Sequence, residues 1–208
     1  MAIQTFSDLK SAIINWVADS TITNYLDDIV LVAEKRLQRD LRIREIETAL
    51  SDTMSSGEVD IPTSGGESVF IGIKHARLDV AGGHPLEVAE ADWLYKKFPN
   101  RTSTGRPNYI AIDIDKFIFG QFPDTDYDVK GTVYKRPLVL SVTNATNEWT
   151  DGAPDALLFA CLAETAPFLR EDERVPVWEN KYNQIKEGYN SLYKRETRQR
   201  TRVRYDPS

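Results

Sequence analysis

Residues 109–122 read YIAIDIDKFIFGQF, and this stretch decides the fold class. Isoleucine stands at every second position, at Ile110, Ile112 and Ile114, a period of two that is typical of a half-buried strand. The polar residues at 113–116 predict a tight turn into the apolar run at 116–122. The stretch therefore predicts two neighbouring strands joined by a turn.

Similar runs fill the centre of the chain, from about residue 45 to residue 137. Clusters of Gly, Pro, Asn and Asp separate them, and one helix is predicted at 89–98. The predicted strands are 46–54, 58–61, 69–80, 85–88, 109–114, 116–122 and 127–135. Short strands spaced in this way predict an antiparallel β-rich domain, either a sandwich or a small barrel.

Both ends of the chain show helical spacing instead. Thr5 and Asp8 form an approximate capping box at the start of the first helix, with Asp in place of the usual Glu. A second helix spans about 24–39 and a third restarts at 151, where Pro154 suits the first turn. The long final helix has a heptad-like seam formed by Val175, Trp178, Tyr182, Ile185, Tyr189 and Leu192.

These patterns together predict an α+β protein. The economical arrangement is a four-helix bundle formed by the N- and C-terminal helices, with the antiparallel β-rich domain inserted between its halves. The predicted parts are an N-terminal helical part at 1–44, the β-rich domain at 45–150, a C-terminal helical part at 151–193 and a basic C-terminal arm at 194–208.

Composition excludes several classes of protein. The 208 residues are 41% hydrophobic and 28% charged, as in a soluble globular chain, and no apolar run is long enough to span a membrane. The first residues lack the basic and apolar segments of a secretory signal. The single cysteine, Cys161, excludes an intramolecular disulfide and a thiolate zinc cluster, and it is expected to be a buried structural thiol. A protein of the cytosol, or one assembled there, is expected.

The net charge of −6 is unevenly distributed. Residues 194–208 carry six basic and two acidic side chains, net +4, which leaves 20 basic and 30 acidic side chains, net −10, on the other 193 residues. Such an acidic body does not attract DNA non-specifically. The arm is expected either to be solvated or to order on a partner. A continued helix would place its basic residues on several faces, whereas the period of two in its arginines suits an extended arm. Its basic residues are Lys194, Arg195, Arg198, Arg200, Arg202 and Arg204.

A second basic segment lies at the end of the second helix. Its side chains either compensate the helix dipole on a solvated surface or form ion pairs with another subunit. These residues are Lys35, Arg36, Arg39, Arg42 and Arg44.

Motifs for catalysis and metal binding are missing from the sequence. His75 and His84 are nine residues apart, with no second ligand at a metal-binding spacing. The acidic run at 124–128 fails as a calcium loop, because Val129 and Lys135 occupy the positions that need Gly and Glu. No phosphate-binding loop or nucleophile elbow is present. The sequence therefore predicts no enzyme, no metal and no cofactor.

Several segments, in this order along nearly the whole chain, resemble bacteriophage head-to-tail adaptor proteins. They are TFSDLK at 5–10, IVLVAE at 29–34 followed by RLQRDLR at 36–42, GRPNYI at 105–110, APDALL at 153–158, AETAPFL at 163–169 and EDER at 171–174.

The resemblance implies a structural virion protein of the head–tail interface, present in the host cytoplasm during assembly. It implies a ring, usually of twelve subunits, that joins the portal protein to a tail or nozzle protein. Genome DNA would pass through its channel without specific binding. The basic arm would dock on the portal, and the segment from Lys35 to Arg44 would form intersubunit or portal-facing ion pairs. No membrane contact is implied.

One alternative belongs to another class, a non-catalytic binding module with a carbohydrate- or protein-binding β domain. Aromatic side chains in the centre of the chain would supply its stacking surface. The candidates are Trp93, Tyr95, Tyr109, Tyr127 and Tyr134.

Overall fold

The computed structural model describes residues 3–58, 60–62, 69–99, 104–169 and 173–200. The chain forms two compact units, one from Met1–Glu45 together with Pro137–Ser208 and the other from Ile46–Arg136. The first unit is helical and draws on both ends of the chain, whereas the second contains the sheet. Residues 137–150 lie in the helical unit, although the sequence pattern assigns them to the β-rich domain.

The described residues form six α-helices and seven strands, so the α+β class is confirmed. The helices are α1 (Phe6–Val17), α2 (Leu26–Asp40), α3 (Ala91–Lys97), α4 (Glu148–Gly152), α5 (Pro154–Glu164) and α6 (Arg174–Arg200). The strands are β1 (Glu47–Met54), β2 (Asp60–Pro62), β3 (Val69–Leu78), β4 (His84–Val88), β5 (Tyr109–Asp113), β6 (Lys116–Phe119) and β7 (Tyr127–Arg136). None of these helices is long and apolar enough to cross a membrane.

The predicted capping box at the start of α1 is present. The hydroxyl of Thr5 accepts the backbone N–H of Asp8 at 3.2 Å, and the carboxylate of Asp8 accepts the backbone N–H of Thr5 at 3.0 Å. The two residues thus satisfy two of the backbone donors that a helix start exposes.

Helix α5 is the centre of the helical unit, because it packs against α1, α2, α4 and α6. A helix that is apolar on all sides has to be covered on all sides. Its small alanine side chains let the neighbouring backbones approach closely. Its buried residues are Ala156, Leu157, Leu158, Ala160, Cys161, Leu162 and Ala163.

The seven strands form one nearly closed sheet in the order β1-β7-β3-β4-β5-β6-β2. Most neighbours are antiparallel, but β4 and β5 are parallel, so the prediction of a purely antiparallel domain is wrong at this pair. The reason is the chain path, since α3 lies between β4 and β5 in sequence and carries the chain back to the same end of the sheet. The sheet is therefore mixed.

The core of the sheet unit receives side chains from all seven strands. Ile110 is fully buried in that core, while Ala111 points to the other face and packs with Leu94 of α3. The predicted strand pair at 109–122 is present as β5 and β6, with Ile110 opposite Phe119. Ile114 is 89% exposed because it belongs to the turn, where its backbone has a φ of 54°.

The most buried charged group of the helical unit is Glu34 of α2, which is 1% exposed. Its carboxylate accepts the backbone N–H of Leu140 at 3.1 Å and the side-chain N–H of Asn147 at 2.5 Å. Asn147 also caps α4, because its Oδ1 accepts the backbone N–H of Trp149 at 3.0 Å. These hydrogen bonds tie residues 137–147 to α2, which explains why that segment belongs to the helical unit.

Burial raises the pKa of Glu34 above its usual value, and the two hydrogen bonds only partly offset this effect. A carboxyl with a raised pKa in the folded state stabilises the fold below its unfolded pKa. That contribution is lost as the pH rises through the folded-state pKa.

We therefore expect Glu34→Gln, which carries no titrating proton, to gain stability relative to the wild type as the pH rises from about 4 to about 8. Its amide would face the side-chain N–H of Asn147, so the variant is also expected to lose about 1–3 kcal/mol of unfolding free energy at every pH. Urea denaturation at several pH values measures both effects. The exposed Glu187→Gln is the control, and a difference between wild type and Glu34→Gln that does not change with pH would contradict the assignment.

Candidate functional site

Helix α6 is the longest element, with 27 residues and a length of about 40 Å. Its first residue, Arg174, donates hydrogen bonds to the backbone carbonyls of Trp16 at 3.0 Å and Val17 at 2.9 Å. These carbonyls end α1 and attract a cation. The start of α6 is thereby fixed to the end of α1.

The predicted seam of α6 is buried most deeply in its first half. Trp178 and Tyr182 are buried, Val175, Ile185 and Tyr189 are half-buried, and Leu192 is 39% exposed. Tyr189 donates its hydroxyl to Asp155 of α5 at 2.9 Å. The seam thus faces the helical unit along its first half and becomes exposed towards its end.

Arg36 of α2 connects three helices. Its guanidinium donates to Glu164, which ends α5, at 3.0 Å, and also to Glu179 of α6. It lies over the ring of Tyr182 at 4.3 Å, and its side chain is only 17% exposed. The planar guanidinium suits this task because it donates to two carboxylates while stacking on an aromatic face.

The electrostatics of this cluster follow from its contacts. The hydrogen bond from Arg36 lowers the pKa of Glu179 below its usual value. Burial raises the pKa of Tyr182, and the hydrogen bond that its hydroxyl donates to Asp40 at 3.0 Å acts in the same direction. At neutral pH the cluster therefore combines the cation of Arg36 with the charged carboxylate of Glu179 and the neutral phenol of Tyr182.

Asn190 fixes the chain where it leaves α2. Its side-chain N–H donates to the carbonyl of Asp40 at 2.9 Å, and its Oδ1 accepts the backbone N–H of Arg42 at 2.9 Å. Beyond Asn190, the exposed side chains of α6 include Leu192, Lys194 and Arg195. Residues 191–197 of the helix thus offer a largely exposed surface.

The basic arm begins as helix. Lys194 and Arg195 are exposed on α6, and the helical backbone continues through Arg198 to Arg200. An extended conformation is therefore wrong for residues 194–200. Arg202 and Arg204 lie outside the described residues.

The second basic segment divides into two groups. The guanidinium of Arg36 contacts carboxylates of its own chain, as described above. The other four side chains of the segment are exposed, and they are Lys35, Arg39, Arg42 and Arg44.

The sequence predicts no catalytic or metal-binding role for Cys161, His75 and His84. Burial raises the pKa of the Cys161 thiol well above its usual value and keeps it protonated. His75 is exposed, and the ring of His84 bonds to the side chain of Asn108 at 2.8 Å. Across the described part of the chain, no group of three His, Cys, Asp or Glu residues is placed to hold a metal ion.

The aromatic residues of the binding-module alternative do not form one surface. Tyr127 is buried in the sheet core, and Tyr95 donates its hydroxyl to Asp113 at 2.7 Å. Trp93 and Tyr109 do meet, with ring centroids 5.0 Å apart, but the ammonium of Lys97 lies over both rings, 4.5 Å and 4.1 Å from their centroids. The chain's own lysine thus occupies the cation site that these two rings make.

The chain matches the family described as SU10 adaptor protein over residues 4–206. It belongs to the SU10 adaptor protein family. None of the curated proteins compared with it matches. The resemblance to phage head-to-tail adaptors is thereby confirmed, and the member described here is a phage structural adaptor protein.

Sequence reasoning missed the partners that fix α6 in this adaptor. Glu164, Glu179 and Asn190 carry no motif, and only the spacing of Arg36 and Asp40, one helical turn apart, hinted at an ion pair. Glu34 could have been noticed, because it interrupts an apolar stripe one turn after Val30.

We expect Arg36→Lys to destabilise the adaptor by about 1–2 kcal/mol, because an ammonium cannot bridge Glu164 and Glu179 while stacking on Tyr182. Arg36→Ala should cost about 3 kcal/mol, since it leaves those carboxylates without their cation. Urea denaturation measures both, and the exposed neighbour variant Lys35→Ala should stay within about 0.5 kcal/mol of the wild type. Equal losses for Lys35→Ala and Arg36→Ala would show that the network contributes nothing.

Proposed function

We propose that this adaptor forms a ring, of twelve subunits as in the phage adaptors it resembles, that connects the portal protein to a tail or nozzle protein. The observation that carries the proposal is the family match over residues 4–206. On this proposal the protein is not an enzyme and needs no cofactor. It acts by assembly in the virion, after a period in the host cytoplasm.

Lateral contacts between subunits are assigned to the helical unit, with α1, α2, α5 and α6 as a four-helix bundle. Large apolar side chains on this unit remain exposed and would be covered by a neighbouring subunit. They include Trp16, Tyr25, Leu31, Val32, Phe168 and Val177. Subunit contacts of a stable ring bury areas of this kind together with polar groups.

Portal docking is assigned to the end of α6, where the basic arm begins. Lys194 and Arg195 are exposed there, C-terminal to Asn190, whose side chain bonds to the carbonyl of Asp40 at the end of α2. The exposed side chains Lys35, Arg39, Arg42 and Arg44 are candidates for ion pairs with a neighbour or with the portal. Arg36 is left out of this assignment because its partners lie within the chain.

The ring would also line the channel for DNA. The net charge of −10 outside residues 194–208 supports a wall that the genome passes without specific binding, because like charges repel. A tail or nozzle protein would contact the sheet unit.

Mass measurement by light scattering tests the proposal, on the protein alone and after mixing with the portal ring of the same phage. The proposal expects the adaptor to join the portal ring in a fixed ratio. An adaptor that leaves the mass of the portal ring unchanged would overturn it and would favour the binding-module alternative.

We expect the double charge reversal Lys194→Glu with Arg195→Glu to weaken portal binding by about tenfold, which corresponds to about 1.4 kcal/mol. The fold should be unaffected, because both side chains are exposed. Titration of portal ring with each variant, followed by light scattering, gives the affinity. Lys181→Glu, an exposed position earlier on α6, is the matched control, and equal affinities for all three proteins would exclude this docking surface.

A further inference from the structure

The sheet ends on one side at β1, whose outer edge has no partner strand among the described residues. β1 pairs with β7 along its whole length of eight residues, from Glu47 opposite Tyr134 to Met54 opposite Tyr127. Its other side, at the end of the strand order, leaves backbone groups without a strand partner, although the N–H of Thr53 already donates to the carboxylate of Asp52 at 2.8 Å. A row of such groups is a template on which a further strand can pair.

The two ends of the sheet differ in how they are protected. β2, at the opposite end, has only three residues and finishes at Pro62, which lacks a backbone N–H. β1 contains no proline and no lysine, the residues that commonly block an edge. Among its residues Ala49, Ser51 and Asp52 are exposed. The edge of β1 is thus longer than that of β2, and around Asp52 and Thr53 it faces β2 across an open groove.

The surroundings of β1 are acidic. An open groove of about 400 Å³ between β1 and β2 is lined by residues that include Asp52, Glu58 and Asp60. The loop before β7 and its first residues add Asp124, Asp126 and Asp128.

The nearby cations are largely engaged. Lys116 pairs with Asp60 at 2.9 Å, and Lys130, which lies opposite Ser51, pairs with Asp79 at 2.5 Å. Arg106 interacts with the hydroxyl of Tyr127, which itself donates to Asp124, so its charge offsets part of the acidic cluster. Three of the carboxylates also accept local hydrogen bonds: Asp124 from Tyr127, Asp126 from Ser56 and Asp128 from Thr53. A hydrogen bond from a neutral donor leaves the negative charge in place, so this end of β1 remains an acidic surface.

The same chain carries a segment that complements this edge. Residues 201–205 read TRVRY, in which Arg202 and Arg204 alternate with residues that favour strands. Arg200 precedes the segment and ends α6. The segment lies outside the described residues, and its period of two matches a strand with one basic face.

We propose that residues 201–205 of one copy add to the free edge of β1 in a neighbouring copy as an extra strand, with the arginines over the acidic groove. The inference rests on the proposed ring. A closed ring of more than two subunits needs two different surfaces that complement each other on every subunit. The edge of β1 and the basic segment are such a pair, which is why a neighbouring copy is the assigned partner.

Disulfide trapping in the full chain tests the contact. One protein carries Ser51→Cys, an exposed and nearly isosteric change on the edge, and the other carries Val203→Cys. Thr201→Cys and Tyr205→Cys are tested as well, because the proposal does not fix the register. The native Cys161 is fully buried and does not compete. We expect oxidation of the mixture to link the two different proteins.

Two controls make the result specific. Val142→Cys, at a position that is 84% exposed on the helical unit, replaces Ser51→Cys and should link at least about tenfold more slowly. Arg202→Glu with Arg204→Glu, placed in the Val203→Cys protein, should slow linkage to Ser51→Cys by a similar factor. Arg202→Lys with Arg204→Lys keeps the charge and should restore it. Ala49→Cys offers a second exposed position on β1 if Ser51→Cys fails to fold.

Linkage to Ser51→Cys no faster than to Val142→Cys, at all three tail positions, overturns the inference. So does a protein carrying both Ser51→Cys and Val203→Cys that yields only internally linked monomers, because the segment would then bind its own chain. An adaptor that joins the portal ring but shows no such linkage would refute this contact alone. Failure to change the mass of the portal ring would instead refute the proposed function.

Discussion

The helical unit depends on one constraint, which is that α5 must be covered on every side. Its eleven residues include seven that are buried, and they lie around the whole circumference of the helix. Burying an apolar side chain stabilises a fold by about 1.5–3 kcal/mol, so leaving any side of α5 in water would be costly. The cover comes from α1 and α2 before the sheet unit and from α4 and α6 after it. The two ends of the chain therefore have to meet, and the sheet unit is an insertion in sequence.

Apolar burial alone does not fix how these helices are aligned along one another, and a few polar groups supply that information. Glu34 accepts hydrogen bonds from the segment before α4, and Arg36, two residues further along α2, bridges the end of α5 and the first half of α6. A half-buried ion network contributes modest net stability, because desolvation offsets much of the attraction. A shift of one helix along its neighbour would leave those charges unpaired, at a larger cost. We infer that the network contributes more to selecting one alignment of α2, α5 and α6 than to the stability of that alignment.

The sequence predicted the parts of the fold that follow from local periodicity. All seven strands, the capping box of Thr5 and Asp8, and the helix now called α3 were readable, because each depends on residues close in the chain. The local sequence pattern does not predict the parallel pairing of β4 with β5, although the intervening α3 is the feature that causes it. The partners of Arg36 lie more than one hundred residues away in sequence, so no local pattern reveals them. The period of two in the arginines of the arm predicts an extended chain, but α6 continues as helix as far as Arg200.

Charge is segregated along this adaptor, and the segregation bears on how identical subunits are joined. Here the end of α6 and the following arm carry net +4, while the rest of the chain carries net −10. Contact between two arms, or between two acidic surfaces, is therefore disfavoured by repulsion, which falls off over about 8–10 Å at physiological ionic strength. Contact between an arm and an acidic surface is favoured. Reciprocal contacts of this kind can form in a two-fold dimer as well as in a head-to-tail ring, so the charge distribution favours pairing of arm with body without selecting the symmetry.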